Sequence, residues 1–160
     1  MITAVIIALI LTLIYNIALI KKNKRIPISL SHSYYIFGGY PKGYIFYGYL
    51  VTMFFLLIIP MIEITSEKWA WIPFLALASI CFVGAAADFL YLKQTRIVHT
   101  VGAIITSLLS LLWCIVVGYW YIGLCSIAIA SVIAYLFRNK IYWLEMGCFA
   151  SVFIILLILI

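Results

Sequence analysis

Four ionisable side chains lie within or beside long apolar stretches of this sequence: His32, Asp88, His99 and Glu145. Burying a charge among apolar residues is costly, so such residues are candidates for function. Two imidazoles and two carboxylates can ligate Zn²⁺ or another divalent cation, and Asp88 and His99 are the first choice as metal ligands. A carboxylate beside a histidine can instead relay protons or tune a general base. In a third interpretation, the carboxylates pair with nearby basic side chains and serve only the fold.

The spacing of these residues predicts that they gather at one depth. Asp88 and His99 lie on opposite sides of the basic turn at 93–96, and Glu145 follows the basic turn at 138–140 by five residues. A helix rises 1.5 Å per residue, so each of the three should lie within roughly 10 Å of a helix end. We therefore expect a polar site near one face of a membrane.

The fourth residue, His32, belongs to an irregular stretch at 26–43. This stretch contains two prolines and three glycines, which argues against a continuous helix. It is too apolar and aromatic for a simple solvated loop, so we predict a segment that lies in the membrane interface or folds back into the bundle. Its polar and aromatic residues around His32 are Ser29, Ser31, Ser33, Tyr34 and Tyr35.

The composition identifies the environment in which these residues must work. Of the 160 residues, 69% are hydrophobic and only 9% are charged. Soluble domains are about 45–50% apolar and about 25% charged, so a soluble globule and a disordered chain are both excluded. The chain contains no Walker loop, GxSxG elbow, HExxH or dinucleotide fingerprint.

The apolar runs predict an all-α fold with a single domain of six transmembrane helices. Each run is continuously apolar and long enough to cross a bilayer as a helix, which needs about 20 residues. The predicted spans are about 2–20, 44–62, 69–92, 97–117, 119–137 and 141–160.

Basic residues predict how the bundle is oriented. Nine of the ten lysines and arginines lie in the first, third and fifth connections, and only Lys68 lies elsewhere. By the positive-inside rule these connections face the cytoplasm, so both termini should lie on the non-cytoplasmic side. The expected location is a bacterial inner membrane. The net charge of +6 favours contact with anionic lipid head groups over nucleic acid, and an oligomer is left open.

Three short motifs carry a first resemblance. They are a Pro-x-Ser-hydrophobic-Ser segment with a Tyr-Tyr pair at 27–35, Val-Gly-Ala-Ala at 83–86, and Val98-His99 at the opening of the next helix. In these motifs the chain resembles small six-helix membrane proteins of Bacteroides-type bacteria and their phages. The resemblance spans most of the chain and implies the six-helix fold, but it implies no activity.

A second resemblance concerns the polar residues. A serine, Asp88 and His99 near one membrane face are similar to the Ser, Asp and His residues that surround zinc in the CREST group of membrane hydrolases. That resemblance implies a metal-dependent lipid hydrolase. This chain departs from the group in having six predicted helices rather than seven and no paired-histidine motif on a late helix.

Three functional hypotheses follow. The first is a small membrane protein whose polar site, built from His32, Asp88, His99 and Glu145, binds a cation or a lipid head group. The second is a metal-dependent membrane-embedded lipid hydrolase. The third is a non-catalytic scaffold or modulator in which Asp88 and Glu145 form local ion pairs.

Overall fold

The computed structural model describes residues 1–160, apart from the side chain of Lys140. The described chain is all-helical, and six of its helices are long and apolar enough to cross a membrane, which confirms the all-α class and the predicted number of spans. The helices are α1 (Ile2–Asn23), α2 (Ser33–Ile36), α3 (Ile45–Glu63), α4 (Trp71–Ala85), α5 (Lys93–Val116), α6 (Trp120–Phe137) and α7 (Lys140–Leu159). Short 3-10 turns precede α3 and α4.

The helices pack mainly against their neighbours in the chain. Helices α3, α4 and α5 form one antiparallel series, α6 pairs with α7, and α1 lies against α3 and α7. The centre of the bundle contains Phe46, Met53 and Trp113, which are almost fully buried. The Trp113 indole N–H donates to Thr65 Oγ1 over 2.8 Å, so this buried polar group is satisfied within the protein.

The third span is shorter than the sequence predicts. Its helix, α4, ends at Ala85, whereas the apolar run continues to residue 92. Residues 86–92 form a loop, so Asp88 lies beyond the end of a helix and not inside it. Arg96 of α5 satisfies two carbonyls of this loop, donating to those of Phe89 (3.1 Å) and Leu90 (2.8 Å). An apolar run alone cannot show this kind of interruption.

The irregular segment at 26–43 packs against the helices. Ser33 is fully buried and its hydroxyl shares a 2.5 Å hydrogen bond with Tyr15 of α1. The backbone N–H of Tyr142 on α7 donates to the carbonyl of Ile28 over 3.0 Å. Irregular backbone at the end of a bundle is tolerated when such contacts satisfy its polar groups. The middle of the segment, at 29–34, therefore forms part of the protein core at this end of the bundle.

A second set of buried polar groups joins three helices. The Tyr142 hydroxyl donates to Asn16 Oδ1 over 2.8 Å, and the Asn16 amide donates to the carbonyl of Thr12. The Tyr49 hydroxyl donates to Thr12 Oγ1 over 3.1 Å, and its ring stacks on Tyr15 with centroids 4.1 Å apart. Every one of these groups has a partner in the protein, so the network stabilises the packing of α1, α3 and α7.

Candidate functional site

A cleft of about 590 Å³ lies between α5, α6 and α7 at the end of the bundle that carries the 26–43 segment. Most of its lining is apolar, and some lining residues belong to the outer surface of the bundle: Leu108 is 61% exposed. The cleft therefore opens on the side of the helix bundle. Its polar lining residues are Ser29, Ser31, His99, Thr100, Ser107, Glu145 and Cys148.

Glu145 supplies the carboxylate of this cleft. It lies on α7, and its Oε2 accepts a 2.5 Å hydrogen bond from the backbone N–H of Leu30. The Ser31 hydroxyl lies beside the same carboxylate. Both of these neighbours are uncharged, and both come from the segment at 26–43. The carboxylate therefore holds the irregular segment against α7 while it also lines the cleft.

His99 supplies the second ionisable group. It is only 6% exposed, and its Nδ1 lies 3.0 Å from the carbonyl oxygen of Val83 and 3.2 Å from that of Ala86. Carbonyl oxygens only accept hydrogen bonds, so Nδ1 must carry a proton in these contacts. In the neutral imidazole, Nε2 is then a hydrogen-bond acceptor. The ring stacks on Phe89 with centroids 4.2 Å apart, which fixes its orientation at the wall of the cleft.

Asp88 lies in the loop at 86–92 and contacts a different partner. Its Oδ1 accepts a 3.2 Å hydrogen bond from the Tyr35 hydroxyl, and that hydroxyl accepts a 2.8 Å hydrogen bond from the backbone N–H of Leu90. Burial is the main cause that raises the pKa of Tyr35 above its ordinary value, with further contributions from Asp88. Tyr35 therefore stays protonated and connects α2 to the loop.

His32 lies beside this connection. It is half-buried, and its ring packs against Tyr35 with centroids 5.6 Å apart. Burial, and to a lesser extent the positive charge of Arg25, lowers the pKa of His32 below its ordinary value. The imidazole is therefore neutral at pH 7, and it packs as an aromatic ring in the described structure.

The structure thus divides the four predicted residues into two pairs. His99 and Glu145 line one cleft, whereas Asp88 and His32 both contact Tyr35. Of the residues around His32, Ser29 and Ser31 line the cleft, Ser33 is bonded to Tyr15, and Tyr34 is buried.

The metal hypothesis gains no support from this arrangement. Among the residues that the structure describes, no three His, Cys, Asp or Glu side chains are grouped closely enough to hold a metal ion. The two proposed ligands also have separate surroundings: His99 lines the cleft, whereas Asp88 accepts from the Tyr35 hydroxyl and is not among the residues that line it.

Sequence reasoning did not single out every polar residue of the cleft. Ser107 and Cys148 lie on α5 and α7, and both line the cleft. In the sequence they look like small packing residues, as serines and cysteines in membrane helices usually are. Their spacing from His99 and Glu145 offers one signal, since Ser107 follows His99 by eight residues and Cys148 follows Glu145 by three. Each pair therefore lies on one helix face.

Comparison of the chain with protein-family models, curated proteins and solved structures finds no match. The functional argument therefore depends on the cleft and its chemistry.

Proposed function

We propose that this protein is a small integral membrane protein that binds a membrane lipid in the cleft between α5, α6 and α7. The observation that carries the proposal is the lining of the cleft, in which Glu145 and His99 stand among side chains that are otherwise mainly apolar. A site with one polar region and a larger apolar region matches the two parts of a lipid. The sideways opening gives a lipid direct access from the bilayer.

The apolar part of the cleft has room for an acyl chain. Leu111 and Ile127 also line a second depression, of about 270 Å³, which continues between α5 and α6 toward Trp120. From His99 to Ile115 helix α5 rises about 24 Å, against a hydrocarbon core of about 30 Å. An extended acyl chain can therefore lie along these helices while its head group stays near Glu145.

The test is a substitution that fills the cleft. Ala103 on α5 lines it, and Ala103→Phe should reduce labelling by a phosphatidylethanolamine that carries a photoreactive diazirine on one acyl chain. We expect about a tenfold loss, because forcing a ligand against an added ring costs about as much as overpacking a core. Labelled protein is measured by mass spectrometry after purification in a mild detergent.

Ile105→Phe is the matched control for this experiment. Ile105 lies on the same helix two residues later, is 38% exposed and is not among the residues that line the cleft. Its substitution should leave labelling unchanged. Equal labelling of the two variants, with both folded, would contradict the proposal.

The orientation of the bundle is a second part of the proposal. We place the end that carries the cleft at the cytoplasmic face of a bacterial inner membrane, with both termini outside. The support is that the basic connections meet there: Asn139 donates to the carbonyl of Ile26, and Leu90 donates to Tyr35.

Alkaline phosphatase fused after Ile160 should therefore be active in intact cells, and a green fluorescent protein at the same position should be dark. Bright fluorescence with an inactive phosphatase would reverse the orientation.

A further inference from the structure

The two ionisable groups of the cleft offer a ligand the same kind of contact. His99 Nδ1 is committed as a donor to the carbonyls of Val83 and Ala86, so the neutral ring can offer a ligand only the acceptor Nε2. The Glu145 carboxylate offers acceptors as well. Both residues line the same cleft. The two ionisable groups of the cleft therefore have hydrogen-bond acceptors, and no further donor, to offer a ligand.

The negative charge of Glu145 also favours a ligand that donates hydrogen bonds. Glu145 accepts a hydrogen bond from the Leu30 N–H, and its other neighbour from this segment is the uncharged Ser31 hydroxyl. These contacts leave part of the acceptor capacity of the carboxylate unused, since its two oxygens provide about four lone-pair sites. A carboxylate in an apolar cleft is stabilised by a cation that also donates hydrogen bonds. A phosphate group placed there would instead meet an acidic group and an acceptor nitrogen.

On the basis of the proposed lipid-binding function, we infer that the cleft selects a lipid whose head group bears a primary ammonium, which Glu145 and His99 Nε2 bind as acceptors. A primary ammonium has three N–H donors and a positive charge. A quaternary ammonium has the same charge and no N–H donor. A glycerol head group has hydroxyl donors and no positive charge. The phosphate of the same lipid would lie outside the polar part of the cleft, toward the basic end of the bundle.

The experiment compares head groups on identical acyl chains. Purified protein is incubated with phosphatidylethanolamine, phosphatidylcholine and phosphatidylglycerol, and bound lipid is measured by native mass spectrometry. We expect phosphatidylethanolamine to bind about tenfold more tightly than either of the other two, as the loss of a charge-assisted hydrogen bond would cause. Equal binding of the ethanolamine and choline lipids, or a preference for the glycerol lipid, would overturn the inference.

Two substitutions identify the groups responsible. Glu145→Gln removes the negative charge and keeps an acceptor oxygen for Leu30. His99→Asn keeps an amide donor close to the position of Nδ1 and removes the Nε2 acceptor. Each should reduce the preference for phosphatidylethanolamine to within about twofold of phosphatidylcholine, while the proteins keep their melting temperatures. Unchanged selectivity in both folded variants would also overturn the inference.

The Ala103→Phe variant separates this inference from the proposed function. If all three lipids bind equally and Ala103→Phe still removes them, the cleft binds lipids without selecting the ammonium, and only the inference fails. If Ala103→Phe has no effect on any of the lipids, the proposed function fails as well.

Discussion

Replacing Glu145 with alanine is expected to release the segment at 26–43 from α7. The Leu30 N–H donates to this carboxylate, the Ser31 hydroxyl lies beside it, and both residues are almost fully buried. Alanine leaves the buried Leu30 N–H without its acceptor, and a buried group left unpaired costs about 1–3 kcal/mol. We therefore expect the free energy of unfolding, measured by titration with a denaturing detergent, to fall by about 1–3 kcal/mol.

Hydrogen exchange locates the change. In the wild-type protein the Leu30 amide should exchange slowly, and in Glu145→Ala it should exchange much faster while amides in the middle of α3 keep their protection. Glu145→Gln is the control, because its amide oxygen can still accept from Leu30. A Gln variant that loosens the segment as much as alanine does would show that the negative charge, and not the acceptor geometry, holds it.

Glu145 both lines the cleft and holds the segment at 26–43, and only the first of these roles could be predicted from the sequence. An isolated carboxylate in an apolar stretch is a strong signal for function, and the cleft does contain Glu145 and His99. The partners of Glu145 could not be predicted, since Leu30 is 115 residues away and contributes only its backbone N–H. Every non-proline residue has such a group, so no pattern of side chains marks it.

The position of Asp88 illustrates a different limit. The apolar run at 69–92 predicts one uninterrupted helix, and on that basis Asp88 and His99 face each other at the same depth. The structure ends α4 at Ala85, and His99 bonds to the carbonyls that the interrupted helix leaves free. Hydropathy measures only whether a residue tolerates hydrocarbon. It carries no information about a helix end whose hydrogen bonds are satisfied by a neighbouring helix.

The burial of Tyr142 is also not predictable from the sequence. Near a basic turn, a tyrosine is typical of the aromatic belt at a membrane interface. Here it is 3% exposed, and its hydroxyl reaches Asn16 on α1. The number of membrane-spanning helices thus follows from the apolar runs, while the burial of individual polar residues depends on which helices touch.

Helices α6 and α7 approach each other closely at Gly147. A Cβ added at Gly147 would lie 2.8 Å from Ala130 Cβ and 3.2 Å from the carbonyl oxygen of Ser126, so a side chain there meets parts of α6 that cannot rotate away. Gly147→Leu must therefore push the two helices apart. Overpacking of this kind costs about 1–3 kcal/mol, and the loss of close contact along the helix pair adds to it. We expect a lower melting temperature in detergent.

Gly48→Leu is the matched control, because Gly48 also lies within a helix and a Cβ there would meet nothing within 4 Å. Both substitutions gain helix propensity, so the difference between them reports packing.

The consequences of Gly147→Leu should extend beyond stability. Its new Cβ would lie 3.4 Å from Ile127 Cδ1, and Ile127 lines the cleft. A variant that loses stability but labels with the diazirine lipid as well as wild type would show that the width of the cleft does not depend on how closely α6 and α7 approach. Reduced labelling would mean that the small residue sets the shape of the lipid site as well as the packing of the two helices.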